Sequence, residues 1–135
     1  MKKNTIITGI FVFSFCLMFI SCAHLGGQQT RKDELRSAVV TLWDAKVEKD
    51  WNTVYDMMCS AYKKKVKRSA FVRGSLVDIK DYVVLDLNVD DGKREAFATV
   101  SCTIATRGFN FPMKITNSWV RENALWRLNP SILPF

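Results

Sequence analysis

VVLDLNVDDGKREAFATVSCTI, residues 83–104, decides the fold class. Val83, Leu85, Leu87 and Val89 alternate with Asp86 and Asn88. A period of two is that of a strand with one buried face. Asp90-Asp91-Gly92 then gives a hairpin signal, because Gly and Asp tolerate the backbone that a tight reversal needs. Beyond it, Ala96, Ala98, Val100, Cys102 and Ile104 alternate with Phe97, Thr99, Ser101 and Thr103. The stretch therefore predicts two antiparallel strands, with Val83 to Val89 on the face that Ala96 to Ile104 share.

Downstream the pattern continues. TRGFN makes a turn around Gly108, and Phe111, Met113, Ile115, Asn117 and Trp119 then fall on one face. RENAL makes a third turn, Leu125 to Leu128 a final strand, and Pro130 and Pro134 end regular structure. Upstream the period is helical. Leu35, Val39, Leu42, Trp43 and Val47 form one stripe within residues 31–49,. Asp33 and Glu34 stand in its first turn, where the helix dipole favours acids,. Asp50 can cap a second helix, with Trp51, Val54, Tyr55, Met58, Cys59 and Tyr62 on its apolar side,. Ser69 to Leu76 forms a short further helix or turn, with Phe71 pointing inward. The class is α+β: two or three helices, then a meander of about four antiparallel strands with the helices on one face.

Lys63 to Arg68, KKKVKR, closes the second helix. It reads either as a solvated C-terminal turn favoured by the helix dipole, or as a patch for lipid phosphates or another polyanion.

The first 30 residues are of another kind. Lys2 and Lys3 precede a dense apolar run from Ile6 to Ile20, and Asn4 to Thr30 carries no Lys, Arg, Asp or Glu. Charged, apolar, then small residues is the order of a secretory signal. A membrane span of about 20 residues would have to include Gly26, Gly27, Gln28 and Gln29, which suits it less,. Phe19-Ile20-Ser21-Cys22 resembles the lipobox of bacterial lipoproteins, with Phe19 where the family usually has Leu. The resemblance implies that residues 1–21 are removed and that the Cys22 thiol and new amine are acylated. Two or three acyl chains hold a membrane where one does so marginally. By the same resemblance Ala23, in place of Asp, sends a Gram-negative lipoprotein to the outer membrane, facing the periplasm. Residues 22–30 then form a short tether, made flexible by Gly26 and Gly27, and 31–135 the domain.

The 135-residue chain has a formal charge of +7 from 20 basic and 13 acidic residues, and loss of Lys2 and Lys3 leaves 18 against 13, or +5. This modest excess suits an anionic membrane surface and does not argue for nucleic acid. The one histidine, His24, stands beside the lipid site, so the folded part has none for catalysis or a zinc site,. Phosphate-cradling glycine loops, CxxC, HExxH and GxSxG are missing from the sequence, and no cofactor or metal is expected,.

The element order, the KDWNTVYDMM phrase at 49–58 and the SWVRENALWRL ending at 118–128 resemble the nuclear-transport-factor-2-like superfamily over roughly residues 31–129. The resemblance implies a curved sheet wrapped round a long helix as a cone, with homodimers through the sheet in some members. It is nearly silent on activity, since the superfamily includes isomerases, dehydratases and binding domains. Its enzymes keep polar groups inside the cone. The candidates here are Tyr55, Asp81 at the entrance of its strand, Asn117 and Trp119. Asn117 is either a structural amide or a group that orients a ligand in an apolar pocket. Cys59 and Cys102 both fall on core-facing positions, as a disulfide of an oxidising compartment or as two free thiols,.

The leading functional expectation is a lipid-anchored, non-catalytic envelope domain that binds a protein or an apolar small molecule. The alternatives are an isomerase- or dehydratase-like enzyme using Asp81, Tyr55 and Asn117, and a structural envelope protein acting through its basic patch. A cavity filled by Trp43, Phe71 and Trp119 would favour the interaction role.

Overall fold

The computed structural model describes residues 23–130; the apolar leader, Cys22 and Pro134 lie outside them. Four helices come first in the described chain: α1 (Ala23–Val47), α2 (Trp51–Asp56), α3 (Ser60–Lys65) and α4 (Arg68–Gly74). Four strands follow: β1 (Asp78–Asp90), β2 (Glu95–Thr106), β3 (Phe109–Glu122) and β4 (Leu125–Asn129). They form one open antiparallel sheet in the order β1-β2-β3-β4, which makes the class α+β.

The α1 stripe packs as its spacing requires. Leu35, Val39, Leu42 and Trp43 are fully buried, against Ala96, Ala98, Val100 and Trp119 of the sheet. The two alanines leave room on β2 for the Trp43 and Trp119 rings,. Polar contacts fix the helix at both ends. Arg121 Nη1 meets Glu34 Oε2 at 2.7 Å, Trp126 Nε1 donates to the Arg31 carbonyl at 3.2 Å, and Lys49 Nζ meets Asp78 Oδ1 at 3.1 Å.

α1 starts earlier than its apolar pattern implies. Residues 23–30, expected as a flexible tether, are helical. Extending a helix already held by packing adds a hydrogen bond per residue without a new nucleus, which offsets the low propensity of glycine. Asp33 and Glu34 therefore stand well inside the helix rather than in its first turn, and act through side chains: Asp33 accepts from Gln29 Nε2 at 3.1 Å, and Glu34 holds Arg121. At the other end Lys49 takes a left-handed φ of 62°, and Asp50 caps α2 by accepting from the Thr53 N–H at 3.1 Å.

The second helix is shorter than expected. The apolar spacing runs unbroken from Trp51 to Tyr62, yet α2 ends at Asp56 and α3 begins at Ser60. The cause lies in β4. The Leu128 N–H donates to the Met57 carbonyl at 2.9 Å, and the Cys59 N–H donates to the Leu128 carbonyl at 2.8 Å. Met58 thus forms an isolated parallel bridge to Leu128 of β4, and that bridge replaces about one helical turn,.

The strand parity of β1 also differs. Ala96, Ala98, Val100 and Cys102 are buried as expected. Their partners on β1 are Val89, Leu87, Val84 and Tyr82, because the register slips at Lys80 and again at Leu85. Each slip is a β-bulge, an extra residue that reverses the facing of what lies beyond it. Val83 and Leu85, expected inside, are 62% and 51% exposed on the outer side. The β2–β3 and β3–β4 reversals are two-residue turns with both φ angles positive: Arg107 at 50° with Gly108 at 84°, and Asn123 at 49° with Ala124 at 64°,.

Candidate functional site

The inner face of the sheet divides into two halves. Register sets Ala96, Ala98 and Val100 opposite Trp119, Asn117 and Ile115, and sets Cys102 and Ile104 opposite Met113 and Phe111. The first half lies beneath α1. Trp43 and Trp119 fill it completely, and no solvent reaches either. In the second half, towards the β2–β3 turn, Cys102 and Ile104 of β2 pack against the core while the β3 side is uncovered. Phe109 is 68% and Phe111 49% exposed, Met113 is exposed beside them, and the two rings lie 6.4 Å apart. A contiguous exposed apolar surface of this kind is the usual mark of an interaction site. The β3 backbone there is also open on one side, since β4 pairs only with Ser118 to Glu122. Pro112, within this open stretch, cannot donate to a neighbouring strand and so blunts the edge,.

The residues singled out from sequence take separate roles. Tyr55 is buried, and its hydroxyl donates to the Val66 carbonyl at 2.8 Å, tying α2 to the link between α3 and α4. Phe71 lies against it, with ring centroids 5.6 Å apart, and meets Tyr62 edge-on at 6.2 Å. Asp81 pairs with Thr103 and is exposed, and its carboxylate lies close enough to the Cys102 thiol to add to burial in pushing that group's pKa up. It lines a shallow cleft of about 300 Å³ with Asp44, Glu48, Lys80 and Tyr82. Asn117 lies two strands away from it on β3, fully buried. Tyr55, Asp81 and Asn117 therefore do not converge on one cavity, and the acid–base arrangement that an isomerase needs is not assembled from them.

Asn117 has both amide atoms unpartnered, and the indole N–H groups of Trp43 and Trp119 share that state. Its neighbours across and along the sheet, Ala98, Ile115 and Trp119, offer no side-chain acceptor except through their backbones. Cys59 and Cys102 are buried free thiols, with β3 and β4 between them, so the pairing that sequence left open is not made. The described residues hold no group of three or more His, Cys, Asp or Glu placed to bind a metal.

One group was missed from sequence. Lys46 follows Trp43 by three residues, so it sits beside the buried stripe of α1 and is half-buried there,. Its amine lies over the Trp43 ring, 4.3 Å from the centroid, beside the Cys102 thiol and without a carboxylate partner. Burial lowers its pKa to about 8, against the smaller opposing pull of Cys102. Burial pushes the Cys102 thiol up in turn, with Lys46 drawing it back. Tyr82 stacks on the same tryptophan at 5.8 Å and donates to Asp44 at 2.6 Å; burial first, then that bond, push it up to about 12. The signal for Lys46 was its position: a lysine at a stripe position must either snorkel or desolvate.

No family model matches the sequence, and no curated protein matches it. Solved structures do resemble the fold. A SEC-C motif containing protein from Psychrobacter arcticus superposes with a TM-score of 0.61 at 14% identity, over 77% of this chain and 63% of its own. The chain thus spans less than two thirds of that protein's length. A SEC-C motif containing protein from Rhodopseudomonas palustris gives a TM-score of 0.55 at 9% identity, over 64% of this chain and 68% of its own. At such identities the likeness shows a shared fold and nothing of activity.

Proposed function

We propose that this protein is a lipid-anchored domain of the cell envelope with a non-catalytic binding role, acylated at Cys22 and built as a cone of the nuclear-transport-factor-2-like kind. The envelope address rests on the apolar run Ile6 to Ile20 and on Cys22 at its end. In a Gram-negative cell, Ala23 directs it to the outer membrane, facing the periplasm. Among the described residues no helix is long and apolar enough to cross a membrane.

The binding role rests on one observation: the interior is filled where α1 lies, while Phe109, Phe111 and Met113 stand open beside it. A filled interior leaves no room for a small substrate, and an open apolar surface suits an apolar stretch of a partner. A second copy is the other protein that fits, packing on the outer face through Val83, Leu85 and Phe97, which are exposed.

Photo-crosslinking in intact envelopes tests this. A photoreactive residue at position 111 is expected to give a discrete adduct, and one at position 83 gives a dimer if the outer face pairs. Adducts no stronger at 111 than at the exposed Glu48 would refute the binding surface. The anchor is tested separately: Cys22→Ala should abolish incorporation of labelled fatty acid and block processing.

A further inference from the structure

One acid-free segment of the described chain, residues 57–77, gathers cations on adjoining short helices. From Met57 to Val77 there are six cations, Lys63, Lys64, Lys65, Lys67, Arg68 and Arg73, and no Asp or Glu. They sit on α3, α4 and the link between them. Of the six, only Arg68 is in an ion pair, with Asp56. Lys63 gives its amine to the Asp56 carbonyl at 2.6 Å, and Arg73 Nε donates to the Ser69 carbonyl at 3.2 Å, so both keep their charge uncompensated. Lys64, Lys65 and Lys67 are exposed. Of the acids that adjoin these cations, Asp56 pairs with Arg68, and Glu122, held by the N–H and hydroxyl of Ser60, leaves one negative charge against the remaining positive ones. Burial does not quench the charges, and Asn52, Lys67, Arg68, Ser69, Val72 and Arg73 line a wide cleft of about 650 Å³.

Directly after α4, Leu76 is 88% exposed, with the exposed Val77 behind it. An uncovered leucine flanked by unpaired cations is the composition of a segment that lies at a lipid–water interface: the cations meet headgroup phosphates and the apolar side chain enters the acyl boundary. A soluble phosphate would use the cations and leave Leu76 without a role. We infer that the α3–α4 face docks on an anionic phospholipid surface, with Lys64, Lys65, Lys67 and Arg73 on the headgroups and Leu76 inserted.

This inference rests on the anchored reading, because a lipid at Cys22 fixes only one point of the domain and a second contact sets which face meets the bilayer. The fold then fixes the attitude. Ala23 begins α1 next to Cys22, and the far end of α1 lies beside the start of β1 through Lys49 and Asp78, two residues from Leu76. The 25 residues of α1 span roughly 37 Å,. Leu76 and an acyl group at Cys22 reach one bilayer only when α1 lies along it rather than standing on it.

The test uses the acylated full-length protein in vesicles, with Leu76→Cys carrying an environment-sensitive dye. Leu76 makes no buried contact, and the thiols of Cys59 and Cys102 are buried, so labelling falls on position 76. Expected is a blue shift in vesicles of phosphatidylcholine mixed with phosphatidylglycerol, none in phosphatidylcholine alone, and reversal by raised salt. Each of Lys64→Gln, Lys65→Gln, Lys67→Gln and Arg73→Gln should weaken docking about fivefold. No shift in the anionic vesicles overturns the inference. So does displacement by inorganic phosphate well beyond that by chloride at equal ionic strength, which would mark a site for a free phosphate. Fatty-acid label counted on the same sample separates this failure from a failure of the anchor: label without a shift sinks the docking face alone, and no label sinks the anchored reading.

Discussion

The two halves of the inner sheet face are made of similar residues and do different things. Under α1, Trp119 and Ile115 of β3 meet Trp43, Val39 and Leu42 and form the core. Two residues further along the same face of the same strand, Met113, Phe111 and Phe109 meet nothing that buries them. Composition does not separate the halves, since both are apolar and aromatic. What separates them is the length of the helical stripe. It ends with Trp43 and Val47, and the chain then turns at Lys49. Apolar side chains beyond that point are available to a partner. Hydrophobicity marks a residue as buried only where another element reaches it.

The strongest way to break the contrast is to empty the sealed half. Trp43→Ala removes a fully buried ring and should lower the unfolding free energy by about 3–5 kcal/mol, read from denaturant titration,. A loss under about 1 kcal/mol would mean the sealed half is not the core.

Lys46 sharpens the boundary between the halves. Its folded pKa of about 8 lies below the ordinary 10.5, so the charged form is disfavoured in the folded state. Below about 8 the group is protonated in both states and the burial cost is fully present. Between about 8 and 10.5 the folded protein has lost a proton that the unfolded chain keeps, so stability rises with pH,. Lys46→Met should therefore be more stable than the parent near neutral pH by about 2 kcal/mol, the contact with Trp43 offsetting part of the cost. The difference should shrink through that alkaline window. A difference that stays constant with pH contradicts desolvation as its cause.

Asn117 asks whether the sealed half is wholly structural. Both its amide atoms are buried and unpartnered, so Asn117→Leu should stabilise the fold by about 1 kcal/mol,. Loss of stability instead would show that the amide bonds a buried water or ligand.

The stripe Leu35, Val39, Leu42, Trp43 and the alternation Ala96 to Ile104 were legible because each element is periodic and packs against one partner. The break at Met57 to Cys59 was not. It is imposed by backbone bonds to Leu128, far along the chain, and the local pattern stays helical across it. The reversal of β1 was hidden for a similar reason. Bulges at Lys80 and Leu85 leave no mark in a run where Val83, Val84 and Leu85 are all apolar, and either parity reads well. Asn117 and Trp119 were placed correctly on the inner face, for β3 runs without a bulge against β2. Lys46 was passed over because a lysine on a helix is ordinarily read as solvated.

The open half supplies the most direct test. Phe109→Ser with Phe111→Ser removes two aromatic rings, as many as Trp43 and Trp119 supply to the sealed half. Both positions are exposed, so the unfolding free energy of the double variant should stay within about 0.5 kcal/mol of the parent while crosslinking around position 111 is lost,. A loss of about 3 kcal/mol or more, like that expected for Trp43→Ala, would show that this surface belongs to the core and contradict its assignment as a binding face.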